Sequence, residues 1–279
     1  MIDVICSLAL LSLLVAIAVA YGVRLLLRGE AHFARVDAAG SSPLLGRRLM
    51  EMAYWSLQPV ARLCIRLGIG PNAITLASMG LALIAAGALA FGHFGIAAVI
   101  TAVAALGDAL DGLVARSTGV ASDAGEVLDA AVDRYFEGTF LSGLAVYYRD
   151  DVPILIIALA ALLGSFMVSY ATAKAEACHA EVPRGWMRRS ERAVYLNVGI
   201  TLVPLAGKVP MIAALAVVAF FSNVSAIRRL AALAATLRAR DAASPLPQEP
   251  VVEEFAEERA DGPSSASSAI RSEVTSAAS

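Results

Sequence analysis

The sequence predicts an all-α polytopic membrane protein. It comprises a six-helix transmembrane core, an interfacial amphipathic helix and one extra N-terminal transmembrane helix. Three observations carry this reading. The 279 residues are 58% hydrophobic and only 16% charged, more apolar than an ordinary soluble domain. Seven apolar runs, near 4–24, 72–92, 95–116, 126–147, 152–175, 192–207 and 209–227, each approach the length a hydrocarbon core requires, about 20 residues at about 1.5 Å per residue. The arginines are also partitioned unevenly among the connectors.

The first run, "VICSLALLSLLVAIAVAYGV", is long enough to span and long for a signal-peptide core. Arg24 and Arg28 follow it rather than precede it, and no small-x-small cleavage site stands out, so 1–28 reads as a retained transmembrane helix. Residues 44–68, "LLGRRLMEMAYWSLQPVARLCIRLG", place Arg47, Arg48, Arg62 and Arg66 among Leu, Met, Trp and Ile. That pattern predicts an interfacial amphipathic helix, kinked near Pro59.

The transmembrane core is placed at 70–232, with the short connectors "GHFG", "STGVASDAG" and "YRDD" and with Gly and Pro at several boundaries. Arginines precede the second run, flank the loop after the third, cluster after the fifth and follow the seventh. Only Arg149 and Lys208 fall on the other side. The positive-inside rule then predicts an inner-membrane, multi-pass protein with its N-terminus outside. Residues 243–279 are rich in Ser, Ala, Pro and Glu, have no period, and read as a disordered cytoplasmic tail.

Other chemistry finds little support. A net charge of −2 gives no reason to expect nucleic acid. Cys6, Cys64 and Cys178 are far apart and form no CxxC, so neither a disulfide framework nor a zinc site is indicated. His32, His93 and His179 have no partner spacing that suggests catalysis.

The informative stretch is "GDALDGLVARSTGVASDAGEVLDAAVDR", Gly107 to Arg134. Asp108 and Asp111 share one helix face, and Asp129 and Asp133 share another. The intervening loop makes the two helices an antiparallel hairpin, so both acidic faces reach one depth near the cytoplasmic boundary. Four carboxylates in a low dielectric repel one another unless a cation compensates. Oxygen ligands without His or Cys suit Mg²⁺ or Mn²⁺, and four acids can share two such ions. Gly112 and Ala115 leave room for a ligand, and Arg116 can meet a phosphate. On the physics alone, a transporter or channel with an intramembrane carboxylate cation site competes with a phosphoryl-transfer site.

The same stretch resembles the signature of the CDP-alcohol phosphatidyltransferase family. It runs Asp108, two residues, Asp111-Gly112, two residues, Ala115-Arg116, eight residues, Gly125, three residues, Asp129, three residues, Asp133, with no departure. The resemblance covers about 44–232. It implies phospholipid biosynthesis by transfer of a phosphatidyl group from CDP-diacylglycerol to the hydroxyl of a polar alcohol, with release of CMP. It implies that Asp108, Asp111, Asp129 and Asp133 bind metal, and that Asp133 is also the base on the acceptor hydroxyl. Gly112, Ala115, Arg116 and Gly125 would serve the CDP moiety. Asn72, Ala73, Ile74 and Thr75, in "PNAIT", are further candidate nucleotide contacts. Ser122 matches a contact among phosphatidylinositol phosphate synthases.

"SYATAKAEA" and "RRSERAVYL" are also similar to stretches of those synthases, which makes Lys174, Arg189 and Arg192 candidates for an acceptor phosphate, inositol phosphate or glycerol phosphate among them. Positive-inside loop charge accounts for the same residues equally well. A membrane prenyltransferase would need a second Asp-rich motif, and none follows Asp133. Homodimers are common in the family, although nothing in the sequence demonstrates one.

Overall fold

A computed structural model of the chain describes residues 1–29, 46–180 and 186–243. The described residues form eight helices and no strand, which is the all-α class the sequence predicts. In chain order these are α1 (Ile2–Arg28), α2 (Gly46–Arg66), α3 (Pro71–Ala90), α4 (Phe94–Thr118), α5 (Asp123–Tyr147), α6 (Val152–Ala177), α7 (Arg189–Ala206) and α8 (Val209–Ala243). The expected tail lies almost entirely outside the described residues.

Among the described residues, five helices are long and apolar enough to cross a membrane: α1, α3, α4, α6 and α8. The protein is a multi-pass membrane protein. The other two expected spans are also helical, within α5 and α7, but they carry more charge. α5 opens with Asp123, Glu126, Asp129, Asp133, Arg134 and Glu137, and α7 opens with Arg189, Glu191 and Arg192. Charged residues within membrane segments are costly and are retained where they work. α2 continues through Pro59, although proline removes one helical hydrogen bond.

Local chemistry sets the helix ends. Pro71 occupies the first turn of α3 behind Gly70, where no N–H is needed. α4 stops at Gly119, whose left-handed backbone (φ 72°) lets its N–H reach the Ala115 carbonyl. Ser122 then caps α5, accepting from the Gly125 N–H at 3.2 Å. Only four residues therefore separate the acidic helices α4 and α5.

The main core gathers Leu89, Phe94, Phe140, Leu144, Ile200 and Leu215. A smaller cluster of Ala61, Ile74, Leu110 and Val114 joins α2, α3 and α4 beside the acidic end. α1 is fixed at both ends. Asp3 Oδ1 accepts from the Gly95 and Ile96 N–H groups at 2.8 and 3.2 Å. Tyr21 donates to Glu51 on α2 at 3.2 Å, and Arg47 pairs with the same carboxylate at 2.7 Å.

Candidate active site

Asp108 and Asp111 lie near the end of α4, and Asp129 and Asp133 lie in the first turns of α5. The tight connection brings them together. One carboxylate oxygen from each of Asp108, Asp129 and Asp133 lies within 4.8 Å of the others, a spacing that can hold a metal ion. Asp111 stands outside that trio and is differently supported. It is buried, and its oxygens accept from Thr75 Oγ1 and from the Gly112 N–H, each at 2.5 Å. Thr75, at the start of α3, thus orients an acidic side chain, a role the sequence did not suggest.

The donor set fits a hard divalent cation. All its ligating atoms are oxygens. Asp129 Oδ1 is buried and meets no hydrogen-bond donor among the described residues. Such an oxygen costs about 1–3 kcal/mol or more unless something positive faces it. A cation bound by the cluster would supply that.

Arg116 folds back over α4. A Cβ built on Gly112 would lie 2.9 Å from Arg116 Nη1, so the missing side chain is what admits the guanidinium there. Asn72 and Ala73 are exposed, Ile74 and Thr75 buried, and Ala115 and Gly125 half-buried around the same end of the helices.

Beside the carboxylates lies a cavity of about 240 Å³ whose walls include Asp133, Glu137, Arg188, Arg189, Arg192 and Arg229. Arg189 bridges the two regions. Its Nη1 lies 2.9 Å from Asp108 Oδ2 and its Nη2 2.5 Å from Asp133 Oδ1. Arg192 is only 1% exposed. Its Nε and Nη2 grip Glu137 at 2.5 and 2.7 Å, and its Nη1 donates to the Met187 carbonyl at 2.7 Å. Arg229 donates to Thr172 at 2.7 Å. Lys174 is exposed at the end of α6 and does not line this cavity.

The approach to α7 is pinned. The Trp186 carbonyl accepts from Ser225 at 2.8 Å, buried Met187 has a positive φ of 57°, and the Arg188 N–H donates to Glu191 at 3.0 Å. Sequence reading missed Glu137, Arg188 and Arg229 as parts of one wall. Glu137 was open to discovery, since it lies one turn beyond Asp133 on the same face. Nothing in the local sequence separates Arg229 from Arg228.

Oxygen ligands at helix ends beside an arginine-lined cavity, within a multi-pass membrane fold, define an enzyme that handles phosphate esters with a divalent metal. The chain belongs to the CDP-alcohol phosphatidyltransferase family, whose model matches residues 69–239. It is similar to a phosphatidylinositol phosphate synthase of Corynebacterium glutamicum, 33% identical over 192 residues, covering 67% of this chain and 88% of that protein. It is also similar to an archaetidylinositol phosphate synthase of Pyrococcus horikoshii, 32% identical over 171 residues, covering 60% of this chain and 88% of that one.

Crystal structures of the Mycobacterium tuberculosis phosphatidylinositol phosphate synthase share the fold at 27% identity. The one with CDP-DAG bound has a TM-score of 0.59 and covers 63% of this chain and 92% of that chain. The one with manganese and citrate has a TM-score of 0.60 and covers 63% and 88%. The protein is therefore a transferase that passes a phosphatidyl group to an alcohol and uses a divalent metal, and the transport reading finds no support.

Proposed function

We propose that the protein transfers the phosphatidyl group of CDP-diacylglycerol to the hydroxyl of a phosphorylated polyol, releasing CMP. The arginine-lined cavity against Asp133 carries this reading. A neutral polyol would not need that density of cationic side chains, whereas an acceptor phosphate pairs with them strongly. The similarity to phosphatidylinositol phosphate synthases makes inositol phosphate the first candidate, with glycerol phosphate next.

Asp108, Asp111, Asp129 and Asp133 would hold two Mg²⁺ or Mn²⁺ ions; bound there, the metal would supply positive charge for the diphosphate and for the leaving CMP oxygen. Thr75 holds Asp111 in place for that role. Asp133, on the wall of the cavity, takes the proton from the acceptor hydroxyl. Arg116, admitted by Gly112, meets a phosphate of the CDP moiety. Asn72, Ala73, Ile74, Ala115, Ser122 and Gly125 would surround the nucleotide. Arg189 and Arg229 would hold the acceptor phosphate. Arg192 contributes charge while Glu137 fixes its position, and Lys174 would draw anions in from the rim.

Residues 70–232 would form the catalytic core, with 44–68 lying in the interface and 1–28 as an additional span. The arginine distribution supports a cytoplasmic site at the inner membrane. Diacylglycerol tails then stay in lipid while CMP and the acceptor exchange with water. The family likeness supports a homodimer, which the mass of the protein–detergent complex would report.

The test gives purified full-length protein CDP-diacylglycerol, Mg²⁺ and a panel of polyols and polyol phosphates. CMP release is measured, and the lipid product is identified by mass spectrometry. Phosphate-bearing acceptors should turn over and their dephosphorylated counterparts should not. Equal turnover of free inositol and inositol phosphate would remove the acceptor assignment.

A further inference from the structure

The geometry points to Arg189 as a built-in counter-cation that divalent metal displaces from the carboxylates into the arginine cavity, so that metal binding and phosphate binding reinforce each other. This rests on the metal and acceptor roles proposed above, and makes Arg189 a positioning residue that couples them. Its guanidinium binds Asp108 Oδ2 at 2.9 Å and Asp133 Oδ1 at 2.5 Å. These are two of the three carboxylates grouped within 4.8 Å as a metal site. A guanidinium and a divalent ion on the same carboxylates repel each other and compete for the same oxygen lone pairs. Arginine does not escape by losing its proton, so its side chain must move.

The destination is adjacent. Arg189 already forms part of the wall of the cavity of about 240 Å³. Of its neighbours there, Arg192 is committed to Glu137 and the Met187 carbonyl, while Arg229 gives one guanidinium bond to Thr172. Among the described residues, the guanidinium bonds of Arg189 end on these carboxylates. Its side chain is 33% exposed, against 1% for Arg192, which leaves it room to swing. An anion in the cavity draws Arg189 off the acids, and a cation on the acids drives it towards the anion. Both ligands therefore favour the same arginine position, and the coupling between them is reciprocal.

The experiment uses the full chain in detergent micelles and reads free Mn²⁺ by electron paramagnetic resonance, without turnover. Arg189→Gln and Arg189→Ala should bind Mn²⁺ at least about fivefold more tightly than the parent, the low end of ordinary coupling. Arg189→Lys, which keeps the charge, should stay near the parent. Sulfate, a phosphate mimic that leaves Mn²⁺ soluble, should tighten Mn²⁺ binding to the parent and not to Arg189→Gln at equal ionic strength. Unchanged or weaker Mn²⁺ binding by the neutral variants overturns the inference, because Arg189 would then only prop up the ligands. Sulfate-independent Mn²⁺ binding by the parent overturns the coupling. Asp129→Asn separates the two levels. If it loses Mn²⁺ while Arg189→Gln gains nothing, the metal site stands and this inference alone falls. If it binds like the parent, the carboxylate site itself is misplaced. Elution profiles and thermal unfolding confirm that each variant is folded.

Discussion

The acidic face and the arginine face of the site are built in opposite ways. Asp108, Asp111, Asp129 and Asp133 come from two consecutive helices joined by four residues, so spacing along the chain fixes their meeting in space. The arginine cavity draws Glu137 from α5, Thr172 from α6, Arg188 from the N-cap of α7, Arg189 and Arg192 from α7, and Arg229 from α8. Its members are brought together by packing between distant helices. The first face is local and uniform in charge. The second is long-range and mixes a buried ion pair with further cations in the cavity wall. Chemistry tied to one hairpin tolerates little variation, whereas a pocket assembled from four helices can change its occupant while the hairpin stays fixed.

The largest expected effect lies on the acidic face. Asp133→Ala should lower CMP formation by about 10²–10⁴-fold, the range for losing a positioned acid or base, and Asp129→Ala, which removes a proposed metal ligand, should abolish most of it. Near-parental turnover by either variant in a Mg²⁺ assay would show that the acidic cluster is not where the reaction occurs. The next effect concerns what holds the arginine face together. Glu137→Ala leaves the guanidinium of Arg192 buried and unpaired, and should destabilise the protein by about 3 kcal/mol or more in thermal unfolding. Adding Arg192→Met should restore much of that stability, because an apolar pair replaces a buried ionic one. Acceptor binding should stay impaired in the double variant.

How far the sequence anticipates the molecule follows the same division. The all-α membrane class, the hairpin and the acidic cluster are legible, since apolar run length and three- or four-residue spacing act within one segment. The charges at the starts of α5 and α7 blur the spans there, because a helix that brings charge to a site stops looking like a membrane segment. Arg189 and Arg192 stand three apart and look equivalent in sequence. Yet one reaches the carboxylates, and the other is consumed by Glu137. Only the arrangement of α7 against α4 and α5 distinguishes them. Ser122, expected at the nucleotide, also caps α5.

Smaller perturbations act within a single face. Arg229→Ala should raise the acceptor KM about tenfold, the loss of one charge-assisted contact, while leaving the KM for CDP-diacylglycerol nearly unchanged. Gly112→Ala should do the reverse. A methyl group there would sit 2.9 Å from Arg116 Nη1 and push the guanidinium away, so the KM for CDP-diacylglycerol should rise severalfold. Alanine is the better helix former by about 1 kcal/mol, so stability should hold or rise. A variant that loses stability along with affinity would place Arg116 in the packing rather than at the nucleotide.

The smallest effect lies farthest from both faces, at the other end of α4. Asp3 Oδ1 accepts from the Gly95 and Ile96 N–H groups, so the extra N-terminal helix supplies the cap that α4 lacks from its own N-cap residue, His93. Asp3→Ala should cost about 1 kcal/mol, the usual value of a lost cap. Asp3→Asn, which keeps an acceptor oxygen but removes the charge facing the helix dipole, should cost less. Neither should alter kcat, since α4 runs from Phe94 to Asp108 before the site begins. If Asp3→Ala instead lowers kcat with stability unchanged, then α1 helps set the position of α4, and the carboxylate face is less local than its spacing implies.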